Sequence, residues 1–485
     1  MIQDFFVQGN NANQDDTYLF ILECAMIRLL GVTGLFLLLA ACGGGGSGGG
    51  SSSDNSLVTE EAVRAALSSA SVDVRQMLYN YMDERYLWYR EMPDLNLQEG
   101  RYADLELLLE ELRKKPEDRF SALSNAVSQG QRFQQGVAGS FGLRFSLRSS
   151  DPLDIRIATV DDFGSVALAG IQRGDRVIGT ADKTIDELGV DGFTGLFSEP
   201  GLGVQRTLKI RHPDGREQDY IITRTEHALN PVRKQNVFFS EISGRQIGYV
   251  MVEEFIRQTA VSLADFRQNY GNLGLDDLIV DLRYNGGGLI YASRDLASTI
   301  YGQGQTSDTY TVLQHNDKHS DNDFTYNFVK FDGAFQNLSR VFILTTANTC
   351  SASEEVINGL KPFMEVITIG SGTCGKPYAS QSYPLIPDLI NANILDSRSV
   401  NALGEGDFFQ GFSPTCAIDD DATLPFTDAR ESLISAALYY ADNGRCPDQV
   451  MADSTRGARS IRIPGTLLET SEPVTAQGAI RTTSD

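Results

Sequence analysis

The chain has 485 residues, 41% of them hydrophobic and 22% charged, enough to bury a sizeable core and too long for one compact domain. Its formal charge is −23, from 64 Asp and Glu against 41 Lys and Arg. Phosphate binding needs clustered Lys and Arg, which are missing here, so the balance argues against a nucleic-acid partner.

Residues 1–25 are polar and acidic (QGNNANQDD) and are read as a mis-assigned start ahead of the true initiator, Met26. From there Arg28 precedes 13 apolar residues, 29–41, shorter than the ~18 needed to span a bilayer and matching a signal peptide at 26–41. The end of that run, LAAC at 39–42, resembles the bacterial lipobox, which implies lipidation of Cys42 and a lipid anchor in a membrane. Residues 42–56, GGGGSGGG and onward, have almost nothing to bury and form a flexible tether. Gly43 rather than Asp after the cysteine resembles the sorting pattern of outer-membrane lipoproteins, so the expected location is the bacterial cell envelope, on the periplasmic or surface face.

Cysteine usage agrees with export. Apart from Cys24 and Cys42 there are four, Cys350, Cys374, Cys416 and Cys446, an even number suited to an oxidising compartment. Three pairings are open; Cys350 with Cys374 and Cys416 with Cys446 is the working one. No spacing suits zinc, and neither a metal nor a cofactor is expected.

Residues 57–133 read as a helical N-terminal domain: Val74, Met77, Leu78, Tyr81 and Met82 recur at spacings of three and four, and DLELLLEELRKK at 104–115 adds a second amphipathic run. Pro93 and Pro116 punctuate them. YLWYREMP at 86–93 reads as a packing surface. Residues 134–227 switch to short strands (GLRFSL, DIRIATV, DRVIGT, RTLKIRH, DYIITR) with one short helix expected at SVALAGI, 165–171. GSVALAGIQRGDRVI looks like the core motif of PDZ domains, and GSFGLRF sits where that family binds a peptide carboxylate. The likeness implies a PDZ-like domain that grips polypeptide C-termini, with Phe141, Gly142 and Leu143 as the peptide-binding loop. Residues 228–450 alternate fully apolar strands such as LIVDL and VFILTT with helices, the pattern of an α/β domain. The tail, 451–485, is polar, aperiodic and expected to be disordered.

Three segments of the α/β region carry chemistry. TCSASEE, 349–355, follows an apolar strand and opens a helix, where backbone N–H groups can hold an oxyanion; it is also a capping box, S-x-x-E from Ser351 to Glu354. SGTCGKP, 371–377, brings Lys376 back 25 residues after Ser351, past a helix and a strand. A lysine replaces histidine as base only if burial keeps it neutral. DLRYNGGG, 281–288, ends a buried strand in glycines that let the backbone approach a substrate carbonyl. The four histidines, His212, His227, His315 and His319, have no recognisable catalytic setting, and the His315/His319 pair reads as solvated.

The order of these parts resembles the C-terminal processing peptidases, or tail-specific proteases, over roughly residues 78–446. The resemblance implies a multidomain α/β chain: helical N-terminal domain, PDZ-like β domain and crotonase/Clp-protease-like α/β catalytic domain. It also implies a Ser-Lys dyad of Ser351 as nucleophile and Lys376 as base, with Ala352 and Gly287 supplying the oxyanion hole. Ser353, 23 residues from the lysine, is then the helix-start residue. Family members often carry a glutamine four residues after the lysine; here that position is Ser380, and Gln381 takes the role only through a bulge. The implied activity is hydrolysis of exported polypeptides held by their C-termini. The competing reading is a non-catalytic lipoprotein that binds protein tails. An ATPase is disfavoured, because GSGTCGK satisfies G-x-x-x-x-G-K but is followed by Pro377, which cannot hold Mg²⁺, so no nucleotide is expected.

Overall fold

The structure, a computed structural model, describes residues 60–148, 151–167, 169–199, 201–448 and a strand at 467–471. The expected start, signal peptide, Cys42, tether and most of the expected disordered tail lie outside these residues.

The helical region contains α1 (Glu60–Ser68), α2 (Val72–Arg85) and α3 (Leu105–Leu112). Ser71 caps α2 by accepting from Val74 N, and Asp104 caps α3 by accepting from Glu106 N and Leu107 N at 3.0 Å. The apolar face of α3 buries Leu105, Leu108, Leu109 and Leu112. Its counterpart lies far along the chain. Strand β1 (Ala122–Asn125) pairs antiparallel with a strand at Ile390–Val400, and Leu385, Ile390, Ile394 and Leu395 share one core with Leu78, Met82 and Tyr102. The segment expected as a separate domain at 57–133 is therefore packed into the domain expected at 228–450.

After a short helix α4 (Ala126–Gly130), an antiparallel sheet forms from β2 (Val137–Arg148), β3 (Asp151–Val160), β4 (Arg176–Thr180), β5 (Gln205–Arg211) and β6 (Glu217–Thr223), in that order, with β7 (Thr225–Ala228) on the first part of β2. Inside it Phe141, Phe145, Phe193 and Phe197 pack ring against ring. The strands follow the expected sequence. The helix expected at 165–171 is not formed: Ala167 N donates to Gly164 O and Ala169 N to Val166 O, which are successive tight turns. The helix of this unit is α5 (Ile185–Gly195), started by a Thr184/Glu187 capping box.

The remaining strands are β8 (Val232–Phe239), β9 (Gln246–Val252), β10 (Asp277–Asp281), β11 (Thr309–His315), β12 (Phe324–Asn327), β13 (Arg340–Thr345), β14 (Glu365–Gly370), β15 (Tyr378–Ile386), β16 (Ile390–Val400), β17 (Cys416–Ala417) and β18 (Leu467–Ser471). Helices α6 (Arg257–Tyr270), α7 (Ile290–Ile300), α8 (Ala352–Leu360) and α9 (Ser432–Asn443) complete the α-helices among the described residues. Six of the strands form a sheet in the order β17-β14-β13-β10-β9-β8, parallel except for β8. α6, α7 and α8 bury Leu263, Phe266, Leu296, Val356 and Ile357 in one apolar core, and α9 buries Leu433, Ile434 and Ala437 in the other. Covered on both faces, its central strands carry buried apolar runs: Leu278, Ile279 and Val280 of β10 are fully buried, together with the aspartates at its two ends. β18 lies antiparallel on β2, with Leu467 opposite Ser146 and Ser471 opposite Ser140.

Candidate active site

In an open parallel sheet, ligands gather beyond the carboxyl ends of the strands. Here three neighbouring strands, β10, β13 and β14, end on the same side, and each runs into one of the three segments singled out by sequence. β13 leads to Ser351, β14 to Lys376 and β10 to the glycine turn.

Ser351 stands between β13 and α8 with φ 56° and ψ −121°, a backbone conformation that side-chain-bearing residues rarely adopt and that costs about 1–3 kcal/mol. The surroundings hold it there. Ser351 N donates to Glu354 Oε2 at 3.0 Å, and Ser351 O accepts from Glu354 N and Glu355 N at 2.7 and 3.0 Å. Ser351 is itself the N-cap of α8, so the expectation that Ser353 starts the helix is corrected: the helix begins at Ala352, and the serine in the strained turn is the one that caps it. Ser353 has another task, its Oγ donating to Asn285 O at 2.9 Å and pinning the glycine turn. Ala352, fully buried, is the first helical residue, whose N–H has no carbonyl one turn back.

Lys376 is 2% exposed. Its backbone N–H donates to the same carboxylate oxygen as that of Ser351, Glu354 Oε2, at 2.8 Å. Gly375 N and Thr373 Oγ1 donate to the other oxygen at 2.8 and 2.6 Å. Burial pushes the Glu354 carboxyl pKa up, against the pull of these four donors. A disulfide joins Cys350 to Cys374, and a second joins Cys416 to Cys446, as in the working pairing. Lys376 Nζ lies 5.5 Å from the centre of the Phe120 ring, while Arg119 donates to Cys374 O. Both residues come from the N-terminal segment, a contribution the sequence did not suggest.

The glycine turn abuts the serine. A Cβ on Gly287, at φ 110°, would lie 2.9 Å from both Cys350 O and Ser351 Cβ and 3.1 Å from Ala352 N, so only glycine fits. In this conformation Gly287 N–H donates to Asn285 Oδ1 at 2.8 Å. Beside the turn opens a cleft lined by Arg132, Phe133, Arg144, Glu253, Glu254 and Gly286 to Gly288, which reaches β2 through Arg144.

Gln381 is corrected. The β15–β16 pair does contain a bulge beside it, but the extra residue there is Asp396 on β16 and not a residue of β15; Ser380 is buried and Gln381 faces solvent. Phe141, Gly142 and Leu143 lie where β2 changes partner from β7 to β3. Phe141 and Leu143 are buried in the core, and Gly142 N–H donates to Ser140 Oγ. No histidine is placed for a relay to Ser351. His227 Nε2 faces both Asp161, at 3.0 Å, and Ser140 Oγ, at 3.4 Å, so one nitrogen serves both and no proton path runs through the ring. His212 bridges Asp175 and Tyr220, and His319 meets Glu84.

Sequence also missed a buried charge network at the end of β10. Arg283, fully buried, bonds Asp281 at 2.9 Å and Glu431 at 2.5 and 3.1 Å. Arg173, from the antiparallel unit, reaches Asp420 at 2.6 Å, Glu431 at 3.2 Å and Tyr284 OH at 2.8 Å. Burial works against the charge on Glu431, but the two guanidinium groups hold its carboxyl below its usual range. Asp281 goes the other way, burial outweighing Arg283 and raising it. Asp281 is two residues from Arg283, but Asp420 and Glu431 lie more than a hundred residues from both arginines, beyond the reach of a local sequence pattern.

Residues 246–414 match the model of Peptidase family S41, and residues 73–122 that of the Peptidase S41 N-terminal domain. A C-terminal processing peptidase of the chloroplast of Tetradesmus obliquus is 24% identical over 296 residues, 55% of this chain and 61% of that protein. A carboxyl-terminal-processing protease of Synechocystis is 28% identical over 210 residues, 43% of this chain and 46% of that protein. The chain thus spans about half to three-fifths of the length of these relatives. A crystal structure of a protein assigned as an S41 protease from Bacteroides fragilis superimposes with a TM-score of 0.62 at 23% identity, over 76% of this chain and 97% of that one, a likeness of fold.

Proposed function

We propose, from the premise that this chain belongs to peptidase family S41, that it is a serine endopeptidase working through a Ser351-Lys376 dyad. The observation that carries the reading is the shared carboxylate: one oxygen of Glu354 receives the backbone N–H of both residues, so the turn bearing the hydroxyl and the loop bearing the amine are held against one another. Ser351 Oγ attacks the scissile carbonyl. Lys376, arriving as a free amine, takes the hydroxyl proton and passes it to the leaving amine; water then releases the acyl group by the same route. Ala352 N–H and the backbone of the Gly287 turn hold the oxyanion, with Gly287 N–H turning away from Asn285 to do so.

The antiparallel unit is read as PDZ-like and the parallel-sheet unit as crotonase/Clp-protease-like. β2 is the strand on which an incoming peptide adds, and the pairing of β18 on that edge supports its capacity to accept one. From β2 the cleft beside Arg144 leads to the glycine turn. Substrates are then envelope polypeptides with accessible C-termini, met by a protein lipidated at Cys42.

The test is hydrolysis of a loosely folded protein such as casein by the wild type and by the Ser351→Ala and Lys376→Ala variants. Cleavage abolished in both supports the dyad. Retained cleavage in Ser351→Ala refutes it, and an inert wild type that still captures peptides by their C-termini favours the non-catalytic reading. Fatty-acid labelling lost in Cys42→Ala tests the anchor.

A further inference from the structure

The two disulfides close loops of similar size, with sequence separations of 24 and 30 residues, so they restrict the unfolded chain to nearly the same degree. Their places differ. Cys416 lies on the edge strand of the parallel sheet and Cys446 just beyond α9, so that bond staples the last helix to the sheet. Cys350 immediately precedes Ser351, and Cys374 stands two residues before Lys376.

The segment between β14 and β15 that carries Lys376 has no helix or ladder to fix it. Its position rests on individual bonds: Ser371 N to Thr345 O, Thr373 N to Phe412 O, Cys374 N to Thr349 O, and the donors on Glu354. The serine turn needs equally firm support, because its φ is unfavourable for any residue with a side chain. The Cys350–Cys374 bond joins these two segments, its Cα atoms 5.1 Å apart, and is their one covalent link short of the 25-residue path through α8 and β14. Both cysteines are half-buried, within reach of a small thiol reagent.

We propose that the Cys350–Cys374 disulfide is a positioning element of the active site, setting the nucleophile against its base and making peptidase activity conditional on the bond being oxidised. The inference rests on the Ser351-Lys376 reading. Reduction by a dithiol breaks the sulfur–sulfur bond and delivers two electrons and two protons to the cysteines as thiols; the reagent leaves as its own disulfide. Two segments then held only by hydrogen bonds drift by fractions of an ångström, which for a proton transfer between positioned groups is a large displacement.

The test compares Cys350→Ala/Cys374→Ala with Cys416→Ala/Cys446→Ala in the full chain; alanine avoids placing a rival hydroxyl next to Ser351. The expected result is a fall in kcat on the order of a hundredfold for the first pair with KM within about twofold, and no comparable fall for the second. The two pairs should lower Tm similarly. Unchanged kcat in the first pair, or equal loss in both, overturns the proposal. Should the first pair fail to fold, the folded wild type is treated with a dithiol and its freed thiols are alkylated and mapped. Activity must then fall with alkylation of Cys350 and Cys374 and return on reoxidation in an unalkylated sample; activity that survives full reduction of that bond contradicts the proposal. Ser351→Ala and Lys376→Ala run alongside: retained activity there sinks the dyad itself, whereas its loss there with no effect of the disulfide sinks only the positioning role.

Discussion

Two buried polar clusters lie at either end of the segment 281–288, and they use charge in opposite ways. At the glycine end Glu354 is a lone carboxylate surrounded by backbone N–H groups and one hydroxyl, with its pKa raised by burial. At the strand end Arg283 and Arg173 meet Asp281, Asp420 and Glu431 in a mesh of paired charges. The first arrangement fixes backbone, and so the aim of two side chains. The second ties the antiparallel unit to the last helix and the end of β10, and what it supplies is coherence between parts. Variants in the first cluster should therefore move rate, and variants in the second should move stability.

The sharpest break would come from the reacting groups. Ser351→Ala and Lys376→Ala should each lower kcat/KM at least about a thousandfold while leaving Tm nearly unchanged, measured by casein hydrolysis and thermal unfolding. Arg283→Met should do the reverse in kind: it leaves Glu431 and Asp281 buried without their main partner, a loss of about 3–5 kcal/mol by denaturant unfolding. A rate loss without a stability loss in Arg283→Met would erase the contrast.

Glu354 and its neighbour divide the same way. Glu355 is fully buried, and burial lifts its pKa to about 7 from an ordinary 4.5. The folded state thus holds the proton more tightly than the unfolded one. Its contribution is fully present below pH 4.5 and is lost as pH rises to 7, amounting to roughly 3 kcal/mol. Glu355→Gln cannot titrate, so the stability of wild type relative to this variant should decline over that window; a constant difference would refute the assignment. Glu354→Gln should lower the rate by about ten- to a hundredfold. An amide offers one acceptor oxygen where the carboxylate offers two, and one pair of donors goes unmet.

The sequence made the Ser351 and Lys376 corner readable because each of its parts adjoins a strand with a buried apolar run, and parallel strands that are neighbours end together. The spacing of 25 residues between Ser351 and Lys376 is one helix out and one strand back, a local geometry. What it did not reveal depends on distant partners. Nothing in 57–133 indicates that α2 and α3 complete their core with β15 and β16, or that Phe120 lies under Lys376. Arg173 and Glu431 are 258 residues apart. SVALAGI has helical composition, but Gly164 precedes it, Gly170 lies within it at φ 85°, and Ala167 N and Ala169 N close tight turns. Gln381 failed for a register reason, since the extra residue of the bulge beside it lies on β16 and not on β15.

Ser351, and no neighbouring residue, should be the nucleophile. A serine-acylating β-lactone, followed by peptide mapping of the protein, tests it directly. A single adduct on Ser351 is expected, slowed in Lys376→Ala and absent in Ser351→Ala. An adduct on Ser353, or one on Ser351 that forms equally fast without Lys376, would contradict it.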